Sequence, residues 1–551
     1  MIRFDQVTFN YHDSLNPIVS NVNLEIPEGE LALVVGHTGT GKSTLLNLVN
    51  GMAPHFTGGN LAGVVTVADR STANYPPREM ADLVGVVRQD PASGFVTDIV
   101  EDELAYTMES LAVPPNVMRR RVEETLDLLG LASLRSRPLR TLSGGERQRV
   151  AIGSVMTAHP SVLVLDEPTS ALDPQAAEEV LAAIQRFVHD LGLTVLMSEH
   201  RLERVVQYAD SVVTITNDGE VWRDSNPAHA MISAPVAPPV VELGRWAGWD
   251  PLPLSIRDAR RDAVTLREDL TRRLVSEQTP AKPAKRPTPE SVATISRVSV
   301  NRSNRVVLRS VDCEVSAGEV VALMGRNGSG KSTFLQLLAG SASPSAGKIS
   351  VRGHDPTQLA GTELVTTVGL VPQEPALMLW ADSVVEECAS ADQTSDLPQG
   401  TTLALFHRLR DDVDPQMHPR DLSEGTRLAL VVALVAAASP DLLLLDEPTR
   451  GLDYSAKVTL TELLRELAVA GQAVIVATHD VELVAAACTR VLMIGDADIV
   501  LDAEASAAAT ASPVFAPQVA KVLTPLPFLT LAAVREAAES DPALPHSGGE
   551  Q

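Results

Sequence analysis

Two stretches of this chain carry residue types suited to holding a polyphosphate. Gly36, His37, Thr38, Gly39, Thr40, Gly41, Lys42, Ser43 and Thr44 fit the pattern G-x-x-x-x-G-K-[ST]. Gly325, Arg326, Asn327, Gly328, Ser329, Gly330, Lys331, Ser332 and Thr333 fit it again. Glycines let backbone N–H groups curl around phosphate oxygens, and a helix opening at the lysine adds partial positive charge. Lys42 and Lys331 would reach the β- and γ-phosphates, while the Ser43 and Ser332 hydroxyls would ligate Mg²⁺.

A second kind of chemistry lies in paired acids. Asp166 and Glu167 follow the apolar run VLVL, and Asp446 and Glu447 follow LLLL. The end of a buried parallel strand is where open sheets bind ligands. There an aspartate can hold Mg²⁺, and the following glutamate can polarise an attacking water. An acid that merely ends a strand in solvent is common, but its return at the matching point of a second copy argues against that reading. TLSGGERQRVAI adds an anion-facing helix start, with Ser143 and Glu146 spaced as a capping box and Gly144 and Gly145 in the first turn.

These groups need strands and helices to position them, and the sequence supplies the set twice. LALVV before Gly36 and VVALM before Gly325 read as short buried parallel strands, each followed by a helical stretch. The separations from Gly36 to Gly325, Asp166 to Asp446 and His200 to His479 are 289, 280 and 279 residues. Near-constant spacing means that whole domains are duplicated. TPAKPAKRPTPE reads as an extended linker at 279–290. It separates a first domain (1–233) with a small C-terminal subdomain (234–278) from a second (291–505) with its own C-terminal segment (506–551). The two small segments share a proline-flanked start, a PLP triplet and a short helical stretch. The final LPHSGGEQ reads as disordered.

Composition narrows the function. Net charge is −25, so no global field attracts nucleic acid. Three scattered cysteines indicate neither a disulfide framework nor a zinc site, which fits a reducing cytoplasm. The longest apolar runs fall short of the roughly 18 residues a membrane span requires, and the N-terminus predicts no signal peptide.

The P-loops, Gln89, LSGG, LVLDE, SALD and the closing histidine, in this order and twice over, resemble the ATP-binding cassette superfamily. The resemblance implies an α/β fold of two P-loop NTPase cassettes in tandem. Each would have a RecA-like parallel-sheet core, an antiparallel β subdomain and a helical signature subdomain. It also implies head-to-tail pairing of the cassettes around two ATP molecules, each held between one P-loop and the other signature, here Ser143, Gly144 and Gly145 or Ser423 and Gly425. By position, Gln89 and Gln373 would sense Mg²⁺ and face the membrane partner. Asp173 and Asp453 would communicate across the pair, and His200 and His479 would contact the γ-phosphate. Glu167 and Glu447 would be the catalytic acids, with Asp166 and Asp446 at the metal.

Two departures separate the copies. The second signature reads DLSEGTRLAL, with Glu424 where the first has Gly144 and Thr426 where it has Glu146. A carboxylate there suits the helix dipole but stands close to a γ-phosphate, so the site using Lys42 and the second signature is expected to be the weaker. Family members stack adenine on an aromatic residue upstream of the P-loop. Tyr11 fits in the first copy, where the other reading is a half-buried strand residue, while Arg302 stands at that point of the second, so stacking there is either a cation–π contact or absent.

The stretch from Asp90 to Leu131, with Asn50–Gly63, resembles the ATPases of energy-coupling-factor importers. In that family a short helix after the glutamine, here about Val96–Tyr106, docks on an integral-membrane coupling protein. Asp98, Glu101, Asp102 and Glu103 suit basic groups on such a partner. The machine so implied takes up a vitamin or transition-metal ion through a small substrate-binding membrane protein, with this chain peripheral on the cytoplasmic face. Fused ATPases of peptide or sugar importers and soluble ribosome-associated tandem cassettes are the competing readings.

Overall fold

LALVV and VLVLD form strands because continuous apolar runs suit a sheet covered on both faces. In the computed structural model every residue of Leu31–Val35 is buried, as are Val162 to Leu165. The structure describes residues 1–12, 16–170, 172–277, 290–302, 305–410, 413–511 and 515–539. The chain divides into two compact units, Met1–Ala259 and Arg260–Gln551.

The first unit is built on strands β1 (Leu31–Val35), β2 (Val84–Val87), β3 (Val162–Asp166), β4 (Thr194–Ser198), β5 (Ser211–Ile215) and β6 (Val221–Asp224). Their order is β6-β5-β1-β4-β3-β2, parallel except for the edge strand β6. A four-stranded antiparallel sheet contains Ile2–Asn10 between Val19–Ile26 and Asn60–Val67. Its inward residues Phe4, Phe9 and Val65 share one core with Val34, Leu45, Leu48 and Leu196. Helix α1 (Lys42–Val49) lies in that core, while α2 (Val100–Ser110) and α3 (Gly144–Met156) pack on each other in a helical layer.

The second unit repeats the plan with β7 (Val320–Met324), β8 (Val368–Val371), β9 (Leu442–Asp446), β10 (Ala473–Ala477), β11 (Arg490–Gly495) and β12 (Asp498–Glu504). The order β12-β11-β7-β10-β9-β8 is that of the first sheet, again with the antiparallel strand at the edge. Helices α4 (Lys331–Leu338), α5 (Val384–Thr394) and α6 (Glu424–Ala437) correspond to α1, α2 and α3. The tandem α/β architecture is therefore the expected one, with parallel cores and separate antiparallel strands.

The two proline-flanked segments share one succession of elements. Pro239–Ala247 and Gln518–Leu523 are helices, each followed by a cis proline (Asp250–Pro251 and Thr524–Pro525) and then a second helix. The division between units falls inside 234–278. Within the second unit, the helix Val264–Glu277 reaches the last helices of the chain. Arg267 Nη1 donates to Val522 O and Arg273 Nη1 to Ala538 O, both at 2.9 Å. The linker expected at 279–290 lies outside the described residues except for Glu290, and so does the terminal LPHSGGEQ. Among the described residues no helix is long and apolar enough to cross a membrane.

Leu196 is wholly buried at the centre of the first unit's sheet. Leu196→Ala should therefore lower the stability of that unit by about 2–5 kcal/mol in urea denaturation, through lost transfer energy and a residual cavity. A change below about 1 kcal/mol, typical of a surface site, would contradict this packing.

Candidate functional site

Each P-loop turns from its strand into its helix through a left-handed glycine. Gly41 has φ +99, and a Cβ there would stand 2.3 Å from Ile18 Cγ2, so no other residue fits. Lys42 is buried, and its Nζ donates to Gly36 O at 2.9 Å and His37 O at 2.7 Å. Lys331 Nζ makes the matching bonds to Gly325 O at 2.8 Å and Arg326 O at 3.3 Å. Both ammonium groups are thus held under their loops by short bonds to loop carbonyls. Gly39 and Gly328, at the crest of each turn, have open space where a Cβ would point.

Opposite the first P-loop stands the acidic turn. Glu167 is only 8% exposed and adopts φ +50, a left-handed conformation costly for a non-glycine residue. Its N–H donates to Ser198 O at the end of β4, at 3.1 Å. One carboxylate oxygen is 2.5 Å from His200 Nε2, and the other accepts from Gln89 Nε2 at 2.9 Å. Asp166 accepts from Ser198 Oγ at 2.5 Å. Burial pushes the Asp166 carboxyl above its ordinary range, while hydrogen bonds from Ser198 and Ser43 work against that rise.

The second unit repeats the turn with altered detail. Glu447 has φ +52, and its N–H donates to Ala477 O at 2.8 Å. His479 Nδ1 stands 2.8 Å from Glu447 Oε2. Burial also raises Asp446, opposed by a hydrogen bond with Ser332. Gln373 is exposed, whereas Gln89 is half-buried against Glu167.

The donor set fits a magnesium ion. Asp446 Oδ1 is buried with no hydrogen-bond partner among the described residues, so one hard oxygen stands unsatisfied beside Ser332. A hydrated Mg²⁺ takes such oxygen ligands, one or two from the protein and the rest from water and phosphate. Ser43 with Asp166, and Ser332 with Asp446, are the residues that would hold it. There it would supply charge neutralisation at the transferred phosphate.

At α3 the expected capping box is complete. Ser143 Oγ accepts from Glu146 N at 3.3 Å, and Ser143 N donates to Glu146 Oε2 at 2.7 Å. At α6 Ser423 accepts from Thr426 N at 3.2 Å, and the two hydroxyls pair at 2.8 Å. Asp173 and Asp453 each cap the following helix, accepting from Ala176 N and Ala456 N at 2.9 Å. Tyr11 is half-buried, its hydroxyl 3.0 Å from Thr44 Oγ1 and its ring edge-on to Phe9. Arg302 bonds Gln336 on α4.

Two expectations around Gln89 change. The helix expected over Val96–Tyr106 begins at Val100, because the preceding loop is tied down elsewhere. Glu103 turns inward, 3% exposed, and its Oε2 accepts from Val96 N at 3.0 Å and Thr97 N at 2.8 Å. It therefore shapes the loop and is not a surface acid. Asp98, Glu101 and Asp102 are exposed, and of these Glu101 lies 3.5 Å from Arg135. Glu387 repeats the Glu103 device, accepting from Trp380 N and Ala381 N at 2.8 Å. The sequence signal was an acid at one position of both copies.

Glu199 was also missed. It is 3% exposed, and its Oε1 accepts from Thr169 N at 2.7 Å, tying the histidine loop to the turn after Glu167. Burial lifts its carboxyl to about 7, with Glu167 adding to the rise and the Thr169 bonds opposing it. Thr478 occupies that place in the second copy.

Placed together at the carboxyl edge of one sheet, these groups make each unit a P-loop nucleotide-binding domain. The family model described as ABC transporter matches residues 19–170 and 308–450, and the chain belongs to that family, as one of its ATP-binding proteins. A Streptomyces coelicolor protein named for ABC transporter ATP binding is 56% identical over 98% of this chain and 100% of its own length. A Methanosarcina mazei relative of the same name is 32% identical over 92% of this chain and 89% of its own. Among solved structures, an archaeal ribosome recycling factor, in complex with the ribosomal stalk protein aP1, has a TM-score of 0.55 at 20% identity. That match covers 89% of this chain and 87% of that one, and shows a shared fold. The chain is thus an ATPase of the ABC transporter class.

A carboxyl whose folded pKa is raised stabilises most below its unfolded value and loses that contribution as pH climbs through the folded value. For Glu199 that window runs from the ordinary glutamate range up to about 7. Glu199→Gln keeps an oxygen for Thr169 N and cannot ionise. It should melt higher than the parent at pH 8, by an amount worth about 1–3 kcal/mol, and the gap should close by pH 5. A gap independent of pH would contradict the assignment.

Proposed function

We propose that this chain is the ATP-hydrolysing motor of an energy-coupling-factor type importer for a vitamin or transition-metal ion. The observation that carries the reading is the segment after Gln89. Its sequence from Asp90 to Leu131 resembles that importer class, and buried Glu103 gives the loop before α2 a fixed shape. Val96 is 60% exposed on that loop, with Tyr106 exposed on the helix behind it. An apolar tip beside exposed Asp98 and Asp102 suits an amphipathic, basic segment of a membrane coupling protein. The second copy offers Leu377 and Trp380 at the matching loop, so the two cassettes would meet different parts of that partner.

In the proposed cycle the two cassettes pair head to tail over ATP. Lys42 and Lys331 exchange loop carbonyls for phosphate oxygens, and the serine–aspartate pairs hold Mg²⁺. Glu167 and Glu447 orient the attacking water, while His200 and His479 brace those glutamates and reach the γ-phosphate. Gln89, bonded to Glu167, links the docking loop to the hydrolytic turn. Closure and reopening of the pair would move the coupling protein. The peripheral cytoplasmic-face location follows from this partnership.

Affinity isolation of the chain from membranes tests the partnership. Recovery of an integral coupling protein and a small vitamin-binding membrane protein is expected; recovery with ribosomes alone overturns it. The two sites should also differ. Glu167→Gln silences the site served by the altered signature, and Glu447→Gln silences the other. The first variant should retain more ATP turnover than the second, and equal rates in steady-state assays would contradict unequal sites.

A further inference from the structure

The second signature's carboxylate has a dedicated partner. Arg450 Nε lies 2.8 Å from Glu424 Oε1, with side chains 31% and 26% exposed. Arg450 belongs to the turn that follows Glu447, and Glu424 is the first residue of α6. At the corresponding places in the first copy stand Ser170 and Gly144, neither of them charged. The turn backbones begin alike: Ser170 N donates to Glu167 O and Arg450 N to Glu447 O, both at 3.2 Å. The charge pair is therefore a local exchange on a shared backbone, made in two segments that touch.

A third change accompanies it, Gly451 standing where the first copy has Ala171. Gly451 (φ +69) stands against the signature turn, and a Cβ on Gly425 would lie 2.4 Å from Gly451 O. Glycine on both sides lets the two backbones meet beside the ion pair. A pair this exposed contributes little to stability by itself, so its consequence is sought in where it holds the carboxylate. A helix N-terminus attracts one anion to its open N–H groups and dipole. Left alone, the Glu424 carboxylate would compete with a phosphate for that end of α6 and repel it. Paired to Arg450 it is neutralised and drawn towards the neighbouring turn.

We propose that Arg450 is a positioning residue: by holding Glu424 aside, it keeps the Ser423–Gly425 turn able to receive the γ-phosphate of ATP. The inference rests on the role given to that turn in the proposed cycle. The test uses the full chain carrying Glu167→Gln and Glu447→Gln, so that ATP is bound without turnover, with MgATP binding followed by calorimetry. Adding Arg450→Ser should weaken one of the two binding events about fivefold, a coupling normal for contacting residues. Adding Glu424→Gly as well should restore the affinity to within about twofold, and Arg450→Lys should retain most of it. Unchanged binding in Arg450→Ser overturns the proposal, and so does a Glu424→Gly/Arg450→Ser protein as weak as Arg450→Ser. Should Arg450→Ser fail to fold, Arg450→Lys and the paired variant decide by the same comparison. Ser423→Ala separates two failures. Full affinity there overturns the role of the signature turn, whereas weak binding there with full affinity in Arg450→Ser overturns the inference alone.

Discussion

The alignment of two parallel strand ends governs the chemistry of each unit. Asp166 pairs with Ser198 across β3 and β4, and Asp446 with Ala477 across β9 and β10. Beyond that last pair the chain must turn, and the N–H of Glu167 or Glu447 returns to the neighbouring strand's final carbonyl. This bond holds a glutamate in a left-handed conformation that would otherwise cost about 1–2 kcal/mol. The same strand end delivers Ser198 to Asp166 and His200 to Glu167. A slip of one residue would turn those side chains to the other face of the sheet. Parallel register, protected by burial on both faces, is thus the constraint on which the placing of the aspartate, the glutamate and the histidine relies.

Around that shared frame the two copies have taken different polar connections. In the first, Gln89, His200 and Glu199 converge on the acidic turn and its continuation, each by a short contact. In the second, Gln373 is exposed, Thr478 replaces Glu199, and charge appears instead between Glu424 and Arg450. The backbone hydrogen bonds that shape the turns are the same in both. At these turns the divergence described lies in side chains on a shared backbone.

The loops after Gln89 and Gln373 show the same division. In each, a buried glutamate in the first turn of the following helix collects two backbone N–H groups of the loop. The loop backbone is thus tied in the same way while its exposed residue differs, Val96 in one and Trp380 in the other. An unsatisfied amide pair in that position would be costly, which explains an acid retained by both copies.

Much of this was legible in the residues alone. Apolar runs of strand length, breakers behind them and glycines before a lysine fix local structure through short-range sterics and solvation, so the tandem α/β plan followed from them. The capping box at Ser143 was equally local, as was the pairing of Asp with Glu at strand ends. What sequence could not assign were partners outside the element in which a residue sits. Glu103 looked like a surface acid until its loop folded over it, and Glu199 looked like any polar neighbour of a histidine. Glu424 read as an isolated charge beside a phosphate until Arg450, in another turn, was brought against it. Local pattern decides which elements form, because each is stabilised by its own neighbours. Only packing decides which side chains lose water and which charges meet, because those outcomes depend on residues outside the local element.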